Sequence, residues 1–256
     1  MDYGDIIRDS FSFMKEGVFG NTGRWLRLVL ASVIIGIPLN GYVMRIYRGP
    51  ATAPEVDGWG NLFVDGLKLL VIGLIYAIPI IVLNILIYLP VYGGLVRVMQ
   101  GDPSARAAFA GWAPNPGLLA LLYIFDIAIA ILVPVAQIRF ARTGSFAEAF
   151  NFGAILDTIG RIGWLFYILA LIIIAIVVGI PVGILVFIFI LLAGITVVLS
   201  GFSMAVLFCW IAAAVIIGLF LLPLIAVFQA RYITRVYDRA TPAVPAAPVP
   251  PVVPAE

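Results

Sequence analysis

The chain has no histidine, a single cysteine and few charges: Asp, Glu, Lys and Arg together make up 11% of its 256 residues. Without His, and with Cys209 alone, disulfide frameworks and His- or Cys-cluster metal sites are excluded. Cys209 lies in an apolar run and reads as a small apolar helix residue rather than a nucleophile. There is no His to activate a nucleophile and no glycine-rich phosphate loop, so the sequence reads as non-enzymatic, with no cofactor and no metal. A net charge of +2 gives no basic bias toward nucleic acid. The segment before Glu16 carries Asp2, Asp5 and Asp9 and has no continuous apolar core, so it does not read as a secretory signal. The largest absence is from Ile162 to Ala230, where no Asp, Glu, Lys or Arg occurs.

What is there is apolar. Hydrophobic residues form 64% of the chain, against roughly 45–50% in soluble domains. Water could not hold so long an uncharged stretch in a compact domain, whereas a bilayer can. In hydrocarbon every backbone N–H and C=O must be satisfied within the chain, and runs without strand alternation do this as helices. The expected fold is therefore an all-α, polytopic integral membrane bundle over residues 1–239, with residues 240–256 a Pro/Ala/Val-rich disordered tail.

The expected spans lie near 25–44, 67–92, 117–137, 162–180, 182–200 and 204–230. Trp25 to Met44 is flanked by Arg24 and Arg27 at one end and by Arg45 and Arg48 at the other. Ile162 to Ala230 as one helix would run roughly 100 Å, so it must fold back. The break points with the best composition are Gly179-Ile180-Pro181-Val182-Gly183 and Ser200-Gly201-Phe202-Ser203. Six spans result, or five if the first break is only a kink. Residues 2–16, Trp59 to Gly66 and Ser145 to Gly153 read as amphipathic helices on the membrane surface.

Two internal echoes accompany this pattern. Proline precedes an exit arginine at Pro38 to Arg45, Pro90 to Arg97, Pro134 to Arg142 and Pro223 to Arg231. The surface segments share two apolar residues, two spacers and a small residue, as in Leu62-Phe63-x-x-Gly66. One motif is more specific: Gly41-Tyr42-x-x-Arg45-x-x-Arg48, then Pro54-Glu55, then Trp59-x-x-Leu62-Phe63-Val64-Asp65-Gly66-Leu67-Lys68. It resembles the hallmark of the archaeal domain-of-unknown-function 4013 family. Arg139-Phe140-Ala141-Arg142-x-Gly144-Ser145-Phe146-x-x-Ala149-Phe150 and the helix end Tyr232 to Arg239 are similar to it as well. Leu83 to Pro116 departs from the pattern. The resemblance implies a multi-span membrane protein and brings no activity and no catalytic residues.

With six spans, the side holding both termini carries nine basic residues against six, which places the termini in the cytoplasm of a cell-membrane protein. Five spans reverse that count. Asp126 is the one acid deep in a span, where an Asp costs about 2.5–3.5 kcal/mol, so it is expected to face the bundle as an intramembrane polar site, with Asn84 or Tyr123 nearby. Asp65 and Glu148, both on surface segments, could be paired carboxylates, although charges on such segments usually face water. The function expected is that of a non-enzymatic structural or accessory component whose partner is the lipid bilayer. The alternative is a small-solute or ion transporter using Asp126.

Overall fold

The structure, a computed structural model, describes residues 2–34, 36–102, 104 and 112–240. The tail expected to be disordered lies, from residue 241 on, outside the described residues. The elements are α1 (Tyr3–Met14) with a π-helical turn (Lys15–Phe19), α2 (Thr22–Val33), α3 (Ile37–Tyr47), α4 (Trp59–Met99), α5 (Pro116–Thr143), α6 (Phe146–Ala149), α7 (Phe152–Ile162), α8 (Trp164–Leu199) and α9 (Met204–Asp238). No strand occurs among the described residues.

Among the described residues, four helices are long and apolar enough to cross a bilayer: α4, α5, α8 and α9. They have 41, 28, 36 and 35 residues. At 1.5 Å per residue the shortest reaches about 42 Å, more than the hydrocarbon thickness of about 30 Å. They pair as two hairpins. In the first, Leu83 and Ile87 of α4 meet Leu122 of α5. In the second, Phe189 of α8 stands edge-on to Trp210 of α9, whose Nε1 donates to Thr196 Oγ1 at 2.7 Å.

The main core sits at one end, here called the base. It gathers Leu62 to Tyr76 of α4, Val135 to Ala141 of α5, Tyr167 to Ile174 of α8 and Val227 to Val236 of α9 around α3, with Ile6 and Phe13 of α1 and Ile155 and Ile159 of α7. Tyrosine hydroxyls tie its helices to neighbouring main chain: Tyr76 to Ala149 O, Tyr167 to Ile131 O and Tyr232 to Ala170 O. Away from the base the helices are loosely packed. Only 6–22% of the most apolar window in each crossing helix is buried.

The all-α membrane bundle is as the sequence implies, but its divisions differ. Residues 25–44 do not form one span. The helix stops at Val33, Gly36 takes a left-handed conformation with φ 66°, and α3 restarts with Pro38 in its first turn. Proline lacks the N–H for the preceding turn and is at ease at a helix start. The halves have 12 and 11 residues, each only about 18 Å or less and too short to cross. Trp59 to Gly66 is not a separate surface helix but the opening of α4.

The expected turn at Gly179 to Gly183 is absent, and α8 runs unbroken from Trp164 to Leu199 with Pro181 inside it. The spans expected over 162–180 and 182–200 are thus one helix, because a charge-free turn there would leave backbone groups unpaired in hydrocarbon. The turn at Ser200 to Ser203 does form, with Gly201 at φ 65° and Phe202 at φ 61°. Of the surface segments, α1 is helical and capped by a reciprocal Asp2–Asp5 box. It docks Ile6, Ser10 and Phe13 into the base, and Tyr3 stacks on Phe166 at 4.3 Å.

Candidate functional site

The most specific sequence motif joins α3 to α4. Gly41 and Gly66 mark the crossing: a Cβ on Gly41 would overlap the Leu62 carbonyl, and one on Gly66 would overlap the Ile37 carbonyl. Only glycine permits backbones so close. The connecting loop is then pinned by the other motif residues. Tyr42 Oη donates to Pro54 O at 3.0 Å. Arg45 donates to Glu55 O at 2.7 Å, Asp57 Oδ1 at 2.7 Å and Asp57 O at 2.9 Å. Arg48 pairs with Asp65 Oδ2 at 2.8 Å.

A second cluster binds the two ends of the helical domain together. Arg231 is only 3% exposed. Its Nε donates to Asp9 Oδ2 at 2.8 Å and its Nη1 to Pro50 O at 2.6 Å, while its guanidinium lies 4.3 Å over the Phe13 ring. Arg235, one turn on, holds both oxygens of Asp9. The Arg235 guanidinium holds the Asp9 carboxyl down at about 2, against partial burial that pushes it up, with Arg231 adding to the lowering. These residues open on a polar cleft of about 470 Å³ that also receives Ser12, Glu16, Thr52 and the Arg24–Glu55 pair. Three acids, Asp9, Glu16 and Glu55, and two bases, Arg24 and Arg231, line it.

A third feature lies just inside the charged base, where α3, α4, α5 and α9 meet. A pocket of about 410 Å³ is lined by Asn40, Tyr47, Gln137 and Gln229, with Leu69, Leu70, Gly73 and Leu74 along α4. No charged residue lines it. Tyr47 Oη reaches Gln137 Oε1 at 3.5 Å.

The residues singled out from sequence are dispersed. Asn84 is half-buried on α4 and donates to Ile80 O at 2.9 Å within its own helix. Asp126 is exposed on α5, one turn beyond buried Leu122, with neighbours Tyr123 at 61% and Ile127 at 62% exposure. No hydrogen bond or ion pair reaches it among the described residues. Asp65 and Glu148 do not face each other; Arg48 takes the first and Arg139 the second. The Arg139 guanidinium, with Asn151, lowers the Glu148 carboxyl. Cys209 is exposed on α9. No group of three metal-ligating side chains occurs among the described residues.

Sequence reasoning missed the Asp9 clamp and the amide-lined pocket. Arg231 and Arg235 share one helix face, and Asp9 sits on an amphipathic helix, but nothing local pairs positions 222 residues apart. In comparisons with known proteins, a family model described as "Protein of unknown function (DUF4013)" matches residues 26–190. Neither a curated protein nor a solved structure matches the chain.

Proposed function

Given that the chain belongs to the DUF4013 family of proteins of unknown function, we propose that it is a non-enzymatic, structural or accessory membrane component that works by association within the bilayer. The observation that carries this reading is Asp126. It stands exposed near mid-span of α5 without a partner among the described residues, where hydrocarbon makes a carboxyl costly. A partner helix that covers it removes that cost. The sparse packing of the crossing helices supplies the surface for such a partner. The arginines of the sequence motifs are engaged in holding the base together, which suits a scaffold.

Both termini belong in the cytoplasm on this reading. With four crossing helices the two termini share a side. Of the 15 Lys and Arg residues, only Arg97 and Arg106 fall in sequence between the apolar stretches of the first hairpin, and every other one belongs to the base side.

A photo-crosslinking residue at Ile127, beside Asp126, tests the proposal in native membranes. A discrete protein adduct that disappears in Asp126→Leu is the expected result, with proton flux in proteoliposomes no greater than in empty vesicles. Flux that depends on Asp126, with no adduct, would favour the transporter reading, in which Asp126 and Asn84 of the paired helix α4 form the intramembrane polar site.

A further inference from the structure

The pocket between the two hairpins goes beyond association. Its position along each helix gives its depth. Gln137 lies two residues before Arg139, and Gln229 two residues before Arg231, so the amides sit one short step inside the charged base. Leu70, Gly73 and Leu74 continue from Lys68 toward the bilayer middle. The cavity thus has a polar end at headgroup depth and an apolar end pointing into hydrocarbon, which is the polarity of a single lipid molecule.

The chemistry of the lining narrows the ligand. Each amide offers both a donor and an acceptor, and the Tyr47 hydroxyl does the same. Among the described residues, no hydrogen bond reaches the side-chain amides of Asn40 and Gln229. Asn40 is half-buried and Gln229 exposed, so both amides are open to a lipid head entering the pocket. The lining carries no Lys or Arg to receive a phosphate and no Asp or Glu to receive an amine. The remaining walls are Val43, Ala226 and Ala230 with the α4 leucines.

We propose that the Asn40–Tyr47–Gln137–Gln229 pocket binds the head of an uncharged glycerolipid, its hydroxyl and ester or ether oxygens meeting the amides and one chain lying along Leu70, Gly73 and Leu74. This site does not depend on how Asp126 is covered. Gln137 stands 11 residues along α5 from Asp126, about 16 Å, and the pocket requires no second protein.

The test uses the purified full chain in phosphatidylcholine nanodiscs containing a photoreactive dioleoylglycerol at low mole fraction, with adducts located by peptide mass spectrometry. Labelling should concentrate on α4 near Leu69 to Leu74 and on α9 near Ala226 to Ala230. Excess unlabelled dioleoylglycerol should remove it, and the same excess of phosphatidylglycerol should not. Gly73→Phe, which fills the cavity, and the pair Asn40→Leu with Gln229→Leu should each cut labelling by about fivefold or more, roughly 1 kcal/mol of affinity. Labelling spread evenly along lipid-facing α8, or equal competition by phosphatidylglycerol, would overturn the proposal. The competition arm needs only the unaltered protein, so it decides the matter even where a variant misfolds.

Discussion

Arg235 grips both carboxylate oxygens of Asp9 at 2.8 Å, across 226 residues of sequence. Arg231 shares the same carboxylate from the buried side. One acid therefore joins α1 to α9, and its removal leaves a buried guanidinium without its counter-charge. Breaking a buried pair from one side costs about 3–5 kcal/mol. Asp9→Ala is expected to lose about 3 kcal/mol, the remaining carbonyl partners of Arg231 limiting the damage. Unfolding in detergent, followed by circular dichroism against denaturant, measures this.

The same pair sets an acid limit. The Asp9 carboxyl is held at about 2, below its ordinary 3.8. A lowered carboxyl contributes stability that is complete above the ordinary value and lost as pH falls through the lowered one. Docking of α1 is expected to be constant down to about pH 4 and to weaken between there and about pH 2. A spin label at exposed Phe11 reports its release. Asp9→Asn should remove this step while leaving any contribution from Glu148 and Asp102, which are lowered in the same direction.

Glycines should divide sharply by position. Gly41→Leu or Gly66→Leu drives a side chain into the facing backbone and is expected to cost about 3 kcal/mol or to prevent assembly of the base. Gly194, inside α8, has open space where its Cβ would be. Gly194→Ala is expected to be neutral or to gain about 0.5–1 kcal/mol from reduced backbone freedom. Thermal unfolding of the three variants side by side checks the contrast.

Topology is testable with single cysteines in a Cys209→Ser background. Cysteines at Asn115 and Ser200 should be labelled from the same side of the membrane, and one at Ser145 from the opposite side. A cysteine at Gly179 should be labelled from neither. Six crossings would instead put Ser145 and Ser200 together and separate both from Asn115.

Membership in the membrane was legible because missing charge is a local property, visible at every residue from Ile162 to Ala230. Helix breaks were not legible, and one tripeptide shows why. Gly36-Ile37-Pro38 and Gly179-Ile180-Pro181 are the same three residues, yet the first ends a helix and the second lies inside one. Beyond Gly36, α3 is held by its close crossing with α4 at Gly41 and Gly66 and by the Arg45 and Arg48 pairs, which favour the bend. No close backbone crossing like those at Gly41 and Gly66 occurs at Gly179, and there the helix continues through Pro181. The family-like motif was readable as a string, but its role as a joint between two helices depends on backbone distance, which no string records. Asp126 was expected to face the bundle; it is exposed, although it lies one turn beyond buried Leu122 on the stripe of α5 that meets Leu83 and Ile87.

The unbroken α8 has a mechanical consequence. Ile174 is its last residue buried in the base core, and Leu199 lies 25 residues further on, about 38 Å along the axis. That exceeds the oily slab of about 30 Å, so this arm must lean by roughly 40° or stretch the sheet of lipid around it. Tied near its tip to α9 by Phe189, Thr196 and Trp210, it carries its hairpin partner with it and converts membrane thickness into an angle. A thinner bilayer would increase that lean and lower the far tip toward the surface.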